Sequence, residues 1–210
     1  MPRPHRIHDA GISQHVIVRG NNRSAMFLGD KDCEFFLRCL GNAAVSAECD
    51  IHAYVLMTNH VHLMATARAD RGLSRLMQDV GRRYVENVNL VHGRTGTLLE
   101  GRFKSKLVLT FPHAMQCIRY IEQNPARAGM VARARDYPWS SCRHHLGVHI
   151  DALVTEHPAY LALGETPAER AKAYAGMCDE ALDPESLAEI RGTPKRGRPR
   201  KELLPRELAA

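Results

Sequence analysis

The sequence predicts an α+β protein with a ferredoxin-like split βαβ arrangement and an antiparallel sheet. Segments rich in β-branched or alternating residues are separated by segments whose apolar residues recur at helical spacing. Their order is strand, helix, strand, strand, helix, strand, helix. The two middle strands are joined only by Thr58 and Asn59, as in an antiparallel hairpin. We therefore expect both inter-strand helices on one face of the sheet, with the other face available for chemistry.

Four segments are expected to form the strands. "ISQHVIVRG" (12–20) is rich in β-branched residues and ends at a glycine that begins a turn. "DIHAYVLM" (50–57) and "HVHLMATA" (60–67) form the two arms of the hairpin. "RFKSKLVL" (102–109) alternates in polarity, and this alternation predicts the fourth strand.

Three helices separate or follow these strands. Asp30 is expected to cap a helix that runs to about Glu48, because apolar residues recur there near helical spacing. Residues 72–91 place apolar residues three and four apart, which indicates an amphipathic helix. Thr110 is expected to cap a third helix, which stops near Asn124 because the following proline disfavours the α conformation before it.

The composition divides the chain into three parts. Residues 1–130 hold the split βαβ elements and form the first predicted domain. Residues 131–191 are expected to form a helical C-terminal extension, with one helix starting at a capping box on Thr166 and a short one after Asp183. Residues 192–210 form a basic tail rich in proline, glycine and arginine, which we expect to be disordered in isolation.

Charge is distributed unevenly along the chain. Residues 1–130 contain 17 Lys and Arg against 11 Asp and Glu, residues 131–190 contain 5 against 10, and residues 191–210 contain 7 against 2. A basic body and a basic tail suit an anionic polymer partner, with ordinary surface charge as the alternative. No run approaches the roughly 18 apolar residues of a membrane span, and no secretory signal is recognisable. The six cysteines show no C-x-x-C pair, which indicates reduced thiols in a cytoplasmic protein, and an anionic polymer partner would make it nucleoid-associated.

Two histidines stand one residue apart in the apolar stretch "TNHVHLMA" (58–65). Side chains alternate between the faces of a strand, so His60 and His62 point the same way and Val61 points the other way. Their Cα atoms should lie about 6.5–7 Å apart, which allows both imidazoles to bind one cation. The alternative is two half-exposed histidines on a solvated sheet face, and the pair alone does not decide between them.

A second feature lies on the last predicted helix of the body, in "CIRYIEQNPARAG" (117–129). Tyr120 and Asn124 are four residues apart, so they share one helical face. A tyrosine hydroxyl can act as a nucleophile, and an asparagine carbonyl oxygen can act as a metal ligand. An asparagine before a proline is also a common helix stop signal, so both explanations stay open for Asn124.

Together these features resemble the HUH endonuclease superfamily, in which a strand His-hydrophobe-His precedes a helical tyrosine. The resemblance is closer to the single-tyrosine transposases of the insertion-sequence two-hundred type, and closest to their REP-associated tyrosine transposase branch. It covers about residues 5–147, and its motifs occur in the family's order. The matching stretches are "HVIVRGNNR" (15–23), "YVLMTNHVHLM" (54–64), "GRRYVENVN" (81–89), "GTLLEGRFKSKLV" (96–108), "YIEQNPARAGMV" (120–131) and "YPWSSCRHHLG" (137–147).

The resemblance implies a DNA transposase with single-strand endonuclease activity. In this family the two histidines and a polar residue one turn after the tyrosine hold a divalent metal, which assigns His60, His62 and Asn124 to Mg²⁺ or Mn²⁺. Tyr120 would attack the scissile phosphate and form a 5′-phosphotyrosine, and a second 3′-hydroxyl would reverse the step. The implied substrate is single-stranded DNA folded into imperfect, REP-like hairpins.

Three points stay open within this mechanism. Tyr84, in "GRRYVEN" (81–87), is a rival nucleophile, although its helical spacing favours a core or groove-lining position. An ordinary phenol, with a pKa of about 10, needs assistance at neutral pH. His15 on the first strand is a candidate base, with a packed strand histidine as the alternative. The sequence is compatible with either a monomer or a homodimer.

Basic and amide residues are expected to contact DNA. For any single one of these residues, ordinary solvated surface charge is a better explanation than DNA contact. Their clustering, however, favours contact with phosphates. The tail stretch "KRGRPRK" (195–201) resembles an AT-hook, which enters the minor groove of A·T-rich duplex DNA, with a nonspecific basic tail as the alternative. The candidate DNA-binding residues are Arg19, Asn21, Asn22, Arg23, Arg82, Arg83, Arg102, Lys104, Lys106, Arg196, Arg198 and Arg200.

Other functions are compatible with the same motifs. One is a catalytically idle or domesticated DNA-binding regulator with the transposase fold, which the complete set of four site residues argues against. Another is a replication-initiator or relaxase-like nickase, although such proteins usually carry a different permutation or a helicase domain. A simple metal-dependent hydrolase would cleave DNA without a protein–DNA adduct, so a gel after cleavage separates it from the transposase.

Overall fold

The computed structural model describes residues 10–180 and residues 182, 187, 188 and 190. Its centre is a four-stranded antiparallel sheet in the order β2-β3-β1-β4. This strand order, with one long helix after β1 and another after β3, is the ferredoxin-like arrangement, so the predicted fold class is confirmed. The strands are β1 (Ser13–Arg19), β2 (Cys49–Met57), β3 (His60–Ala67) and β4 (Lys104–Val108).

The two inter-strand helices and α3 lie close to their predicted positions. Thr110 accepts a hydrogen bond from the His113 amide at 3.3 Å and so caps α3 as expected. Thr166 and Glu169 form the predicted capping box at the start of α7. The α-helical segments of the described residues are α1 (Asp30–Ser46), α2 (Gly72–Val91), α3 (Phe111–Glu122), α4 (Asn124–Arg127), α5 (Cys142–His145), α6 (Pro158–Leu161) and α7 (Pro167–Asp179).

Two expected helix ends differ from the structure. Asp30 does not cap α1, because Gly29 holds the cap position and Asp30 is already the first helical residue. Asp32 bonds the entering chain instead, since its carboxylate accepts a backbone N–H of the preceding loop at 2.8 Å. Helix α3 ends at Glu122, and Asn124 begins the separate turn α4 rather than lying on the tyrosine's helix.

One face of the sheet packs against α1 and α2 and is almost wholly apolar. Val16 and Val18 from β1 and Val61 and Leu63 from β3 point into this core, and three of the four are completely buried. Alternation places their neighbours His15, His60 and His62 on the opposite face. We call the first face the helical face and the second the histidine face.

The histidine face is not open. Helix α3 crosses it, and residues of the C-terminal extension, including Tyr160 and Tyr174, share one buried cluster with α3 and with Val55 of β2. The expectation of a face left free for chemistry is therefore met only in part, since side chains of α3 and the extension cover much of it. The division of the chain near residue 130 stays a prediction.

The extension also covers the free edge of β2. The Leu56 amide donates to the Trp139 carbonyl at 2.9 Å, and the Thr155 amide donates to the Ile51 carbonyl at 2.8 Å. Unpaired backbone groups on an edge strand invite pairing with another chain, so these bonds close one edge of the sheet. On the other edge strand, β4, Lys104 and Lys106 are exposed, and such charged side chains discourage pairing with another chain.

Some predicted features lie outside the described residues. These are the basic tail, residues 192–210, with its AT-hook-like stretch, and most of the short helix expected after Asp183. Within the described residues, no helix combines the length and the apolar character that crossing a membrane requires.

Candidate active site

The paired histidines project from β3 onto the histidine face, as the alternation of the strand predicts. The ring centroids of His60 and His62 are 4.9 Å apart, and the rings meet edge to face. Their neighbours Val61 and Leu63 are completely buried in the opposite core. Burial of these two apolar residues fixes the register of β3, because a slip by one residue would turn the histidines into the helical core.

Tyr120 meets His62 of this pair, together with His15 of β1, on the histidine face. Its ring centroid lies 5.6 Å from that of His62 and 5.8 Å from that of His15, and both contacts are edge to face. The side chain is only 7% exposed. The tyrosine comes from α3, which packs on β2 and β3, so distant parts of the chain converge at one place.

His15 is a member of the site that the sequence left undecided between a base and a packed histidine. Its Nε2 atom lies 2.8 Å from Nδ1 of His62, and the two rings are stacked with centroids 5.0 Å apart. The antiparallel pairing of β1 with β3 sets Ile17 opposite His62, which brings His15 within reach of that ring. This contact depends on the register between β1 and β3, which the sequence pattern alone does not give.

Asn59 determines which nitrogen of His60 is free. Its Nδ2 donates to the carbonyl of Arg23 at 3.0 Å, so its Oδ1 must be the atom 2.7 Å from Nδ1 of His60. An amide oxygen only accepts, so the His60 proton is on Nδ1 and its Nε2 keeps a lone pair. The turn residue thus orients the first histidine.

The bond between His15 and His62 has two directions. If Nδ1 of His62 donates to Nε2 of His15, then Nε2 of His62 keeps its lone pair. In the reverse direction, Nε2 of a neutral His62 carries the proton. Only the first direction gives both members of the pair a free Nε2 atom that can bind a cation.

Burial makes the histidine rings of the site neutral. It lowers the pKa of His15 to about 3 and that of His60 to about 4, and it lowers the pKa of His62 well below its usual value. Positive neighbours add to the effect: Lys106 on His15, and Arg19 on His60. Neutral imidazole is the form that binds a metal, so no deprotonation is needed at pH 7.

Arg127 links Tyr120 to Asn124 and was not singled out in the sequence. Its guanidinium lies 4.1 Å from the centroid of the Tyr120 ring and donates to the Tyr120 carbonyl at 3.0 Å and to Oδ1 of Asn124 at 2.8 Å. The other amide atom of Asn124, Nδ2, is buried and finds no hydrogen-bond partner among the described residues. The spacing of seven residues from Tyr120, two helical turns, is the signal that could have indicated Arg127.

Two histidines can act as ligands of a divalent cation, and few groups are available as a third protein ligand. His60 and His62 can both present Nε2, and Oδ1 of Asn124 keeps one lone pair beyond the bond from Arg127. In the part of the chain that the structure describes, no three or more His, Cys, Asp and Glu side chains are grouped so that they could hold a metal. A third protein ligand would therefore be an oxygen such as that amide.

Tyr84 is excluded as the nucleophile by its surroundings. It lies in the helical core, fully buried between Phe27 and Phe36, and its hydroxyl donates to the Met26 carbonyl at 2.7 Å. Burial raises the pKa of this phenol far above its usual value. Tyr84 is on the face opposite His60, so the core position that its spacing favoured is the observed one.

The structure divides the candidate DNA-binding residues into groups. Arg19 pairs with His60 in the sheet, and the adjoining loop of Asn21, Asn22 and Arg23 is exposed and held by Asn59 beside the histidines. Asn22 and Arg23 adopt left-handed backbone conformations, with φ of 50° and 59°. This loop is therefore a shaped polar surface next to the site.

The other candidates lie on β4, on α2, just before β4 or outside the described residues. Lys106 is opposite His15 in the sheet, and its Nζ atom donates to the Ile190 carbonyl at 3.2 Å. Arg82 and Arg83 are on α2, where both pair with Asp79. Strand β4 begins at Lys104, so Arg102 precedes it and borders a groove beside α2 instead of continuing the row of lysines. The residues Arg196, Arg198 and Arg200 lie outside the described residues.

A ferredoxin-like sheet whose His-hydrophobe-His strand faces a helical tyrosine is the arrangement that the resemblance to single-tyrosine transposases leads one to expect. The family described as "Transposase IS200 like" matches residues 10–124, more than half of the chain. The chain therefore belongs to the IS200-like transposase family. No curated protein matches it.

Solved structures agree with the fold. A REP-associated tyrosine transposase bound to a REP hairpin is 19% identical, with a TM-score of 0.59, and the match covers 76% of this chain and 96% of that one. A putative transposase from Deinococcus radiodurans is 20% identical over 58% of this chain and 97% of that one, with a TM-score of 0.41. The first likeness supports the fold.

Proposed function

We propose that this transposase cleaves and rejoins single-stranded DNA through a covalent bond to Tyr120. The observation that carries the proposal is the contact of the Tyr120 ring with the rings of both His62 and His15, at 5.6 and 5.8 Å. A nucleophile beside neutral imidazoles that can hold a cation has the parts needed for phosphodiester transfer. Membership of the IS200-like transposase family supports the same chemistry.

The proposed step is a transesterification. The Tyr120 oxygen bonds to the scissile phosphorus as the bond from phosphorus to the 3′ oxygen breaks, the phenol loses its proton and the departing oxygen gains one. The result is a 5′-phosphotyrosine and a free 3′-hydroxyl. Attack by another 3′-hydroxyl restores a phosphodiester, so the bond energy is retained and no nucleotide triphosphate is consumed.

We propose Mg²⁺ or Mn²⁺ as the cofactor, held by His60, His62 and Asn124. When bound, the cation would neutralise charge on the phosphate and polarise it. The protein's part is to hold both imidazoles neutral and oriented by Asn59 and His15. Nε2 of His15 is engaged by His62, so His15 fits an orienting role better than that of the base for Tyr120.

The substrate we propose is DNA that folds into imperfect, REP-like hairpins. The solved relative bound to a REP hairpin has the same fold, and the loop after β1 offers exposed asparagine and arginine side chains beside the histidines. We propose phosphate contacts from Arg19 and Arg23 and from the lysines of β4. The basic tail, residues 192–210, is proposed to add affinity for A·T-rich duplex, with the cytoplasmic chromosome as the place of action.

The decisive experiment mixes the protein with hairpin-forming single strands from the flanks of its own gene, in the presence of Mn²⁺. We expect a covalent protein–DNA species on a denaturing gel, with the phosphate mapped to Tyr120 by mass spectrometry. Cleavage without an adduct would indicate a metal-dependent hydrolase, and binding without cleavage would indicate a DNA-binding regulator. Either result contradicts the proposed chemistry.

Deleting residues 192–210 tests the tail separately. We expect weaker binding to A·T-rich DNA. The yield of adduct at saturating DNA should stay unchanged, because the tail contains none of the four site residues. Affinity equal to that of the full chain would contradict the role assigned to Arg196, Arg198 and Arg200. The matched control replaces only these three arginines with glutamine.

A further inference from the structure

A groove of about 1190 Å³ lies on the helical face, between α2 and the segment that leads into β4. It is separate from the histidine site, since its lining includes Tyr84 and Val18 but no residue of α3. The proposed chemistry at Tyr120 makes no use of it. Four arginines line it: Arg71, Arg75, Arg82 and Arg102.

The positive charge of the groove is largely uncompensated. In the described part of the chain, the guanidinium groups of Arg71, Arg75 and Arg102 make no hydrogen bond or ion pair. The guanidinium of Arg82 forms an ion pair with Asp79 at 3.0 Å. Among the described residues that line the groove, Asp70 is the one with an acidic side chain. Free guanidinium groups around a concave surface are suited to phosphates, which they can bind through two parallel hydrogen bonds.

Between the arginines, the wall of the groove is apolar and partly accessible. Val85, Leu99 and Phe103 are all half-buried and line it together. A flat apolar wall beside cationic side chains suits an unpaired nucleobase, which stacks on aromatic and apolar groups while its phosphate is bound by arginine. A duplex offers no such base, because its bases are already stacked inside the helix.

The groove and the histidine site share the end of β1. Arg19 is opposite His60 in the sheet, and its carbonyl accepts the Glu100 amide at 2.8 Å. The next residue, Gly20, forms a bridge with Leu99, which lines the groove. A strand leaving the site at this end of the sheet would therefore reach the groove wall without crossing the body of the protein.

We propose that this groove binds an unpaired segment of the DNA strand that Tyr120 cleaves. Its bases lie against Leu99 and Phe103, and its phosphates lie at Arg71, Arg75 and Arg102. The proposal rests on the proposed function for the identity of the strand, and it deepens that function by adding a second contact on the opposite face of the sheet.

The test is the triple variant Arg71→Gln, Arg75→Gln, Arg102→Gln, with Arg38→Gln as the control. Arg38 is an exposed arginine of α1 outside the groove lining. Binding is measured with a labelled hairpin that carries an unpaired flank, at several salt concentrations. We expect the triple variant to lose about tenfold or more in affinity and the slope of log affinity against log salt to fall by about 0.7 per arginine removed. The control should stay within about twofold.

Two further arms make the result specific. A hairpin without the flank should bind the triple variant and the native chain equally, because the groove contacts only unpaired DNA. In the flanked hairpin, 5-iodouracil in the flank should cross-link to the peptide that contains Phe103. The proposal would be overturned if the triple variant bound the flanked hairpin as tightly as the native chain does. It would also be overturned if the triple variant lost as much affinity for the hairpin without the flank as for the flanked one.

The covalent adduct assay separates failure of the groove from failure of the proposed function. The native chain and the Arg38→Gln control should both form the adduct at saturating DNA, since Arg38 belongs neither to the groove nor to the tyrosine site. If the native chain forms no adduct while the triple variant loses affinity for the flank, the groove stands and the cleavage chemistry falls. If the adduct forms and the flank makes no difference, the groove proposal falls alone.

Discussion

The two faces of one sheet are built from alternating residues of the same strands, yet they differ in kind. The helical face is an apolar core in which Val16, Val61 and Leu63 pack on α1 and α2. The histidine face carries bonded polar side chains, including His15, His62 and Ser13. Burial of apolar surface, which needs no direction, holds the first face. The second face also packs against a buried apolar cluster, but hydrogen bonds, which do need direction, fix its polar side chains.

A chain of hydrogen bonds on the histidine face illustrates this directionality. The Ala159 amide donates to Nδ1 of His157, so the proton of the neutral ring is on Nε2, which lies 3.0 Å from Ser13 Oγ. From there bonds run through the hydroxyl of Thr66 to His52, and every donor has an acceptor. This series of hydrogen bonds links side chains of the extension to side chains of the sheet.

The comparison teaches that the environment of a residue, not its type, decides its role. Tyr84 and Tyr120 are both buried helical tyrosines, but Tyr84 has aromatic neighbours and a carbonyl for its hydroxyl, whereas Tyr120 faces two imidazoles and a guanidinium. The first arrangement stabilises a core. The second provides groups that can act on a phosphate.

The largest expected effect contrasts these two tyrosines. Tyr120→Phe should abolish the covalent adduct, because it removes the attacking oxygen, while leaving the fold intact. Tyr84→Phe should retain the adduct but lower the free energy of unfolding by about 1–3 kcal/mol, since the Met26 carbonyl loses its buried donor. Adduct gels and urea melts of both variants measure the two effects. An adduct that survives in Tyr120→Phe would reverse the assignment.

The next effect concerns Glu122, whose completely buried carboxyl group accepts from Ser141, from His145 at 2.7 Å and from Tyr174 at 2.5 Å. Glu122→Gln places an amide N–H group where an acceptor is needed, so the free energy of unfolding should fall by about 3 kcal/mol. Urea unfolding checks this. Exposed Glu86→Gln is the matched control and should change stability by less than about 0.5 kcal/mol.

A smaller effect is expected from the orienting bond of His15. His15→Ala should weaken Mn²⁺ binding by about 10–100-fold, because Nδ1 of His62 loses its partner. His15→Gln should restore part of the affinity, since an amide oxygen can accept the same proton. Calorimetric titration with Mn²⁺ in the absence of DNA measures it, alongside a thermal melt. Unchanged affinity in the alanine variant would show that His15 only packs.

The smallest expected effect is a change of the free energy of unfolding with pH, which arises because His157 titrates within the series of hydrogen bonds described above. Burial lowers the pKa of His157 to about 4, below the ordinary 6.5 that the unfolded chain regains. The unfolded state therefore binds a proton first, and stability that is complete above pH 6.5 declines as the pH falls toward 4, by at most about 1.4 kcal/mol per pH unit.

The variant His157→Asn tests this pH dependence. Asparagine keeps an acceptor for the Ala159 amide but has no titrating ring. The difference between its urea midpoints at pH 7.5 and pH 5 should be smaller than that of the native chain. An equal difference in both proteins would assign the acid sensitivity to other groups.

The fold class could be predicted because its signals are local. Alternation in β1 and β3 and helical spacing in α2 each depend on a few neighbouring residues, and each segment formed the expected element. The error at Asp30 was also local, since the helix began one residue earlier than the cap rule implied. Helix ends depend on small energy differences between adjacent residues, so they are the least certain part of such a prediction.

The site was only partly predictable. That His60 and His62 share a face follows from the strand period alone. That Tyr120 lies beside them came from the family resemblance, since no spacing in the chain measures a distance between α3 and β3. Nothing in the sequence indicated that Asn59 would orient His60, and only a spacing of seven residues from Tyr120 pointed to Arg127, which covers the tyrosine ring.

Local patterns in the chain therefore predicted the order of the strands and long helices, the side of the strand on which each histidine lies and the family that the chain resembles. Tertiary structure decided which tyrosine meets those histidines, which nitrogen each ring leaves free and how the extension covers the face. The physical reason is range: strand and helix periods arise from the backbone of neighbouring residues. Strand register and helix packing depend instead on contacts between residues tens of positions apart, which exist only once the chain has folded.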